Sequence, residues 1–148
     1  MSAHLETKLQ IEIINWWKLA YVTLKADHES VLFHVPNGGA RGKGDAAILQ
    51  AMGVRAGIPD LILLQVRQGF GALLLECKAP TGKTRPEQKE LCEIFLNGGY
   101  LVAVVRSFEA AEAIITDYML AGKMFSRSTP EGAMRNYRWL LTPPPETR

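Results

Sequence analysis

Two apolar runs interrupted by charge constrain this chain more than any other feature. Gly57-Ile58-Pro59-Asp60-Leu61-Ile62-Leu63-Leu64 is followed, after a short break, by Leu73-Leu74-Leu75-Glu76-Cys77-Lys78. Apolar runs of this length, bounded by Gly and Pro, read as buried strands. An ionised side chain in such a strand is costly unless a partner or a metal compensates it, so the fold must bring Asp60, Glu76 and Lys78 to a common place. Residues two apart on a strand share a face, which puts Glu76 and Lys78 together and turns Cys77 the other way. A hairpin through Val66-Arg67-Gln68-Gly69-Phe70-Gly71 with its midpoint near Gln68 sets Asp60 opposite Glu76 and Ile62 opposite Leu74. A bulge at Gly69 or Gly71 would shift that register.

Two carboxylates within about 5 Å on adjacent strands repel each other unless a hard cation lies between them. Mg²⁺ suits such a pair, because it takes oxygen ligands, keeps several waters and is often held by one or two carboxylates plus a substrate phosphate. Lys78 then stands beside the metal as a point charge, able to contact a scissile phosphate or to orient and help deprotonate an attacking water. A buried ion pair within a sheet would account for one carboxylate and one lysine. It accounts less well for an ordered set of three with Pro59 directly before Asp60.

These residues resemble a known pattern. Pro59-Asp60 followed by Glu76-Cys77-Lys78 is similar to the PD-(D/E)XK nuclease signature, and Gly57-Ile58-Pro59-Asp60-Leu61 resembles its virus-type replication-repair branch, VRR-NUC, in the compact stand-alone phage or bacterial form. The likeness extends from about Glu6 to Tyr118. It implies an α/β fold of the restriction-endonuclease type, with a mixed central sheet flanked by helices, and a nuclease domain over residues 1–122 followed by a C-terminal extension over 123–148.

At 148 residues the chain has the length of one domain and enough material for a core. No run approaches the roughly 18 apolar residues of a membrane span, and Met1-Ser2-Ala3-His4-Leu5-Glu6 lacks the pattern of a signal peptide, so a cytoplasmic protein without a membrane partner is expected. Cys77 and Cys92 have no metal-ligand spacing and read as small core residues. The formal charge of +2 is too small to argue for nucleic acid by itself, which leaves the positions of the charges to decide.

Taken in order, a first helix is predicted from about His4 to Ala20, with Leu5, Leu9, Ile13, Trp16, Trp17 and Ala20 on one broad face. Glu6 and Glu12 flank that face, and periodicity does not choose between them. The resemblance does: Glu6-Thr7-Lys8-Leu9-Gln10 matches the family's first-helix glutamate followed by Leu-Gln, implying that Glu6 supports the metal site. Val31–Val35 reads as a strand that ends at Pro36-Asn37-Gly38-Gly39. The basic loop that follows, with Arg41 and Lys43, resembles the family's Pro-Asn-Gly-Gly loop and its trailing Arg, which implies that Asn37, Gly38, Gly39, Arg41 and Lys43 contact nucleic-acid backbone; a solvated loop is the alternative. His34 reads equally as a strand histidine with its hydrogen bonds satisfied or as a functional group.

A short helix is predicted from Asp45 to Met52, and Arg55 then stands close enough to the motif to meet substrate. Thr84-Arg85-Pro86-Glu87 has the form of a capping box, so a helix should start there and run to Asn97. Gln88 matches a glutamine that the family carries in this helix's first turn, implying that it orients water or phosphate near Lys78; a surface glutamine is the plain alternative. Lys83 and Arg85 are candidates for backbone binding. Tyr100–Val105 reads as a buried strand, completing a right-handed βαβ unit with strand 73–78. Ser107 caps a last helix ending near Ala121. Beyond it, Tyr137–Leu141 reads as an edge strand, a dimer contact or a nucleic-acid arm.

The chemistry implied is metal-dependent hydrolysis of DNA. Asp60 and Glu76, with the backbone carbonyl of Cys77 and help from Glu6, would hold Mg²⁺, for which Mn²⁺ would substitute, and no small-molecule cofactor is implied. The likeness further implies a homodimer acting on branched DNA such as four-way junctions, and a phage origin. The rival reading is a non-catalytic nucleic-acid-binding or assembly module that keeps the fold, against which the intact acids argue, since they repel phosphate. A small-molecule α/β enzyme lacks a Gly-rich phosphate loop, a nucleophile elbow or zinc spacing.

Overall fold

The two apolar runs lie side by side in the computed structural model, which describes residues 2–36 and 43–120. In chain order the elements are α1 (Ser2–Ala20), a 3₁₀ turn (Glu29–Val31), β1 (Leu32–His34), α2 (Lys43–Ala51), β2 (Leu61–Leu63), β3 (Leu73–Cys77), α3 (Pro86–Asn97), β4 (Leu101–Val105) and α4 (Phe108–Leu120). The four strands form one sheet in the order β1-β2-β3-β4. β1 and β3 run antiparallel to β2, and β4 runs parallel to β3 across the α3 crossover. This is the mixed sheet flanked by helices that the resemblance implied. β3 and β4 are buried at every residue, as Leu/Val-rich strands covered on both faces should be.

The hairpin register is the one that places the acids together. Leu61, Ile62 and Leu63 pair with Leu75, Leu74 and Leu73, and the same register carried one residue further sets Asp60 opposite Glu76. At the tip, Arg67 and Phe70 exchange hydrogen bonds of 2.8 and 3.2 Å. Gln68 and Gly69 between them have φ of 52° and 86°, the left-handed pair of a tight hairpin turn whose twist suits the strands. Between Leu63 and Arg67 lie three residues, 64–66, facing two, 71–72, between Phe70 and Leu73. The extra residue is therefore on the β2 side, and neither Gly69 nor Gly71 carries the bulge. Lying between the tip and the paired strands, it leaves the register at Asp60 intact.

Alternation along β2 and β3 separates two cores. Leu61, Leu63, Leu73, Leu75 and Cys77 face a large cluster with Leu9, Ile13 and Trp17 of α1 and Ile114, Ile115 and Tyr118 of α4. Ile62, Leu74 and Val102 face Cys92 and Phe95 of α3. Cys77 thus points away from Glu76, and both cysteines are buried and unpaired with each other. In α1 the helical spacing of Leu9, Ile13 and Trp17 puts all three inside, whereas Leu5 is 45% exposed. Leu5 was expected on the packed face. It escapes because the first turn of α1 runs past the end of the sheet, where its neighbour Glu6 meets the chain beyond β3.

Two boundaries differ instructively from the sequence-based expectation. The strand expected over 31–35 is shortened to Leu32–His34 because the His28 ring accepts the Ser30 N–H at 3.1 Å and closes a 3₁₀ turn ahead of it. The α3 cap is one residue later than Thr84-Glu87. Pro86 takes the first helical position, Arg85 stands before it, and the Gln88 carbonyl oxygen accepts the Arg85 N–H at 3.0 Å. Of the loop residues expected to meet nucleic acid, Asn37, Gly38, Gly39 and Arg41 lie outside the described residues, as does the C-terminal extension.

Candidate active site

Sheet, α1 and α3 converge beyond the C-terminal end of β3. Glu76, Lys78 and Gln88 are only 3%, 8% and 5% exposed, so each polar group needs a partner. Lys78 Nζ lies 2.7 Å from Glu76 Oε1, and the Gln88 amide donates to the same oxygen. With its carbonyl on Arg85 and its amide on Glu76, Gln88 ties the start of α3 to the charged strand. Gly57 permits the close approach on the other side. Its φ is +87°, and a Cβ there would lie 3.0 Å from Leu91 Cδ1 and 3.5 Å from the Glu87 carbonyl, so a side chain would push the Pro59-Asp60 segment off α3.

Asp60 Oδ2 accepts the Cys77 N–H at 2.8 Å. Pro59, with no N–H, ends the backbone ladder here, and the Asp60 carboxylate continues it. A residue in an antiparallel ladder exchanges its N–H and C=O with the same neighbour, so the Cys77 carbonyl faces the same edge as its N–H. From α1, Glu6 Oε1 accepts the Ala79 N–H at 3.3 Å. Glu12, the alternative on that helix, instead stands 3.9 Å from Lys8 on the exposed side. Glu6, Asp60, Glu76, Lys78 and Gln88 are therefore drawn together, while Arg55, Lys83 and Arg85 lie on exposed loops before and after the hairpin. Lys43 opens α2.

The electrostatics of the acids reflect their crowding. Burial, and then the charge of Asp60, pushes the Glu76 carboxyl up to about 7, against the pull of Lys78 and Gln88. Burial also raises Asp60, offset in part by the Cys77 N–H. Among the described residues no three His, Cys, Asp or Glu side chains close into a ready metal cage; each acid is instead turned onto an N–H donor. Two hard carboxylates whose charges oppose each other, next to a backbone carbonyl, nevertheless fit Mg²⁺, which is commonly held by one or two carboxylates with substrate and water completing its shell.

A raised carboxylate pKa also sets a pH dependence. Because the folded-state value of Glu76 lies above its ordinary 4.5, its contribution to stability is fully present below that value and is lost as pH rises through about 7. In EDTA, the stability of the wild-type protein relative to Glu76→Gln should therefore fall between pH 5 and 8. Urea titrations across that range measure it, and a pH-independent difference would mean that Glu76 is ionised throughout.

One neighbour of the site was left open by the sequence. His34 Nδ1 lies 2.9 Å from the Asp60 carbonyl oxygen; since a carbonyl only accepts, the ring must donate from Nδ1. His34 borders a groove of about 710 Å³ beside Asp60, lined also by Glu6, Thr7, Gln10 and Ile14. Its place on β1, in register with Leu61, is the signal that would have found it.

The comparisons with known proteins bear on the family and the fold. The VRR-NUC domain signature matches residues 5–109. A solved structure titled "VRR_NUC domain protein" is similar to the chain at 27% identity and a TM-score of 0.65, over 82% of this chain and 92% of that one. No curated protein matches. Among the described residues, no helix is long and apolar enough to cross a membrane. With the signature spanning the sheet, the acids, Lys78 and Gln88, the chain belongs to the VRR-NUC family and carries its nuclease-type fold.

Proposed function

We propose that this protein is a metal-dependent endonuclease that hydrolyses phosphodiester bonds in DNA, acting as a homodimer on branched substrates such as four-way junctions. The observation that carries the reading is the convergence of Asp60 and Glu76 with Lys78, whose ammonium lies 2.7 Å from Glu76, beside the groove that Asp60 and Glu6 line. Acids held against each other in a buried strand repel phosphate and destabilise the fold; an Mg²⁺ site gives them a purpose that binding alone does not. Asp60, Glu76 and the Cys77 carbonyl, with Glu6 behind them, would hold the ion. When bound, it supplies Lewis acidity toward a phosphoryl oxygen and lowers the pKa of water.

The chain's own groups do the rest. Lys78, held by Glu76, presents a positive charge where negative charge develops and can orient the attacking water through its N–H donors. Gln88 fixes Glu76 and, through Arg85, the start of α3, so the donors need no rearrangement during reaction. Lys83 and Arg85 on the following loop, with Arg41, Lys43 and Arg55, offer phosphate contacts that position the backbone without reading sequence. A small domain with a single site cuts both strands of a two-fold junction most simply as a symmetric pair.

Incubation with linear duplex, single-stranded, flap and four-way-junction DNA, in Mg²⁺, Mn²⁺ and EDTA, tests the proposal, with oligomeric mass measured alongside. Cleavage in either metal and none in EDTA is expected, fastest on the junction. Binding to these DNAs without cleavage in any metal would leave the assembly-module reading, and a monomeric mass with full activity would remove the dimer.

A further inference from the structure

The end of β4 adds a cation that the motif does not contain. Cys77 pairs with Val105, and the Lys78 N–H donates to the Val105 carbonyl at 2.9 Å, so the next residue, Arg106, stands beside Lys78. Its Nη2 donates to the Gly82 carbonyl at 3.1 Å, and its Nε is buried without a hydrogen-bond partner among the described residues. The ion pairs found among those residues are Lys8 with Glu12 and Lys78 with Glu76. Arg106, half-buried and with its pKa lowered by burial, has no carboxylate to answer it among the described residues. A guanidinium partly removed from water and matched to one neutral carbonyl is unfavourable on its own.

The turn it holds is part of the site. Gly82 N–H donates to the Ala79 carbonyl at 2.8 Å, and a Cβ on Gly82 would lie 3.1 Å from that oxygen and 3.5 Å from Lys78 Cβ. The turn is therefore folded tightly over Lys78. Glu6 anchors its near end at the Ala79 N–H, and Arg106 anchors its far end. Arg55, Lys83 and Arg85 are exposed and solvated; Arg106 differs in being half-buried and held in one orientation by the Gly82 carbonyl.

Resting on the nuclease reading above, we infer that Arg106 is a phosphate-binding residue of this site, contacting a backbone phosphate of the nucleic acid beside Lys78 while its bond to Gly82 holds it in place. A planar fork of donors can serve a carbonyl and a phosphate oxygen at once, which a single ammonium does poorly.

The test is equilibrium binding of the full chain to a labelled DNA duplex and a labelled junction in EDTA, over a series of KCl concentrations, with thermal unfolding to establish that each variant is folded. Arg106→Gln is expected to weaken binding about tenfold and to reduce the slope of log affinity against log salt by about 0.9, the release of one phosphate's counterions. Arg106→Lys should keep the slope and lose about threefold to tenfold in affinity. A folded Arg106→Gln with wild-type affinity and slope overturns the inference and leaves Arg106 as a brace for Gly82. Should Arg106→Gln fail to fold, Arg106→Lys decides, and wild-type affinity there overturns it equally. DNA bound by the wild-type chain but uncut in any metal removes the nuclease reading alone; no DNA binding removes both.

Discussion

Lys78→Ala and Asp60→Ala should each lower turnover on DNA by about 10²–10⁴-fold in Mg²⁺ while changing DNA affinity in EDTA only a few-fold. The two losses have different origins. Removing Lys78 takes away the ammonium 2.7 Å from Glu76, leaving a buried acid whose ionised form has lost its strongest support and no ammonium to meet developing charge. Removing Asp60 takes away one of two carboxylates and frees the Cys77 N–H, which Asp60 Oδ2 accepts at 2.8 Å. In the absence of metal that variant also carries one fewer charge repelling phosphate, so its affinity should rise slightly. Single-turnover cleavage alongside binding separates these effects, and either variant cutting DNA at the wild-type rate in Mg²⁺ would end the enzymatic reading.

The largest effect on stability is expected at the far end of the same helix that carries Glu6. Trp17 is 1% exposed, and its indole N–H donates to the Glu29 carbonyl at 2.7 Å. Trp17→Ala should cost about 3–5 kcal/mol, combining the lost apolar burial with the cavity it leaves. The unpaired Glu29 carbonyl adds to that cost. Against a total stability of about 5–15 kcal/mol for a domain, that is enough to leave a sizeable unfolded fraction. Trp17→Phe, which fills most of the space but loses the N–H, should cost less. Urea unfolding measures both. A loss below about 1 kcal/mol for the alanine variant would mean that α1 is not seated on the sheet as described.

The relative placement of Asp60, Glu76 and Lys78 was legible because it depends on short-range regularities: the period of two along a strand and the length of chain closing a hairpin. Glycine content points to Gly69 or Gly71 for any disturbance to that register, yet the extra residue lies on the β2 side, among residues 64–66. A bulge is chosen by how the hairpin packs. There Gln65 is buried, exchanging hydrogen bonds with Asp27 at 2.7 and 3.0 Å, and its carbonyl accepts the Tyr118 hydroxyl at 2.6 Å. These partners come from distant parts of the chain, and no local pattern announces them. The α3 cap slipped by one residue for a related reason, since Gln88 serves both its own helix and Glu76.

The amino-acid sequence by itself determined the strand-borne acids and lysine, the crossover that makes β3 and β4 parallel, and the apolar faces of the helices, because each follows from periodicity and covalent reach. Only the tertiary structure decided what periodicity could not: that Glu6, which the family likeness had favoured over Glu12, meets the chain beyond β3, that His34 lies against Asp60, and that Arg106 stands beside Lys78. Those three depend on how far one element slides along another before its side chains pack. That distance is fixed by the sum of many weak contacts across the core, which no single stretch of chain contains.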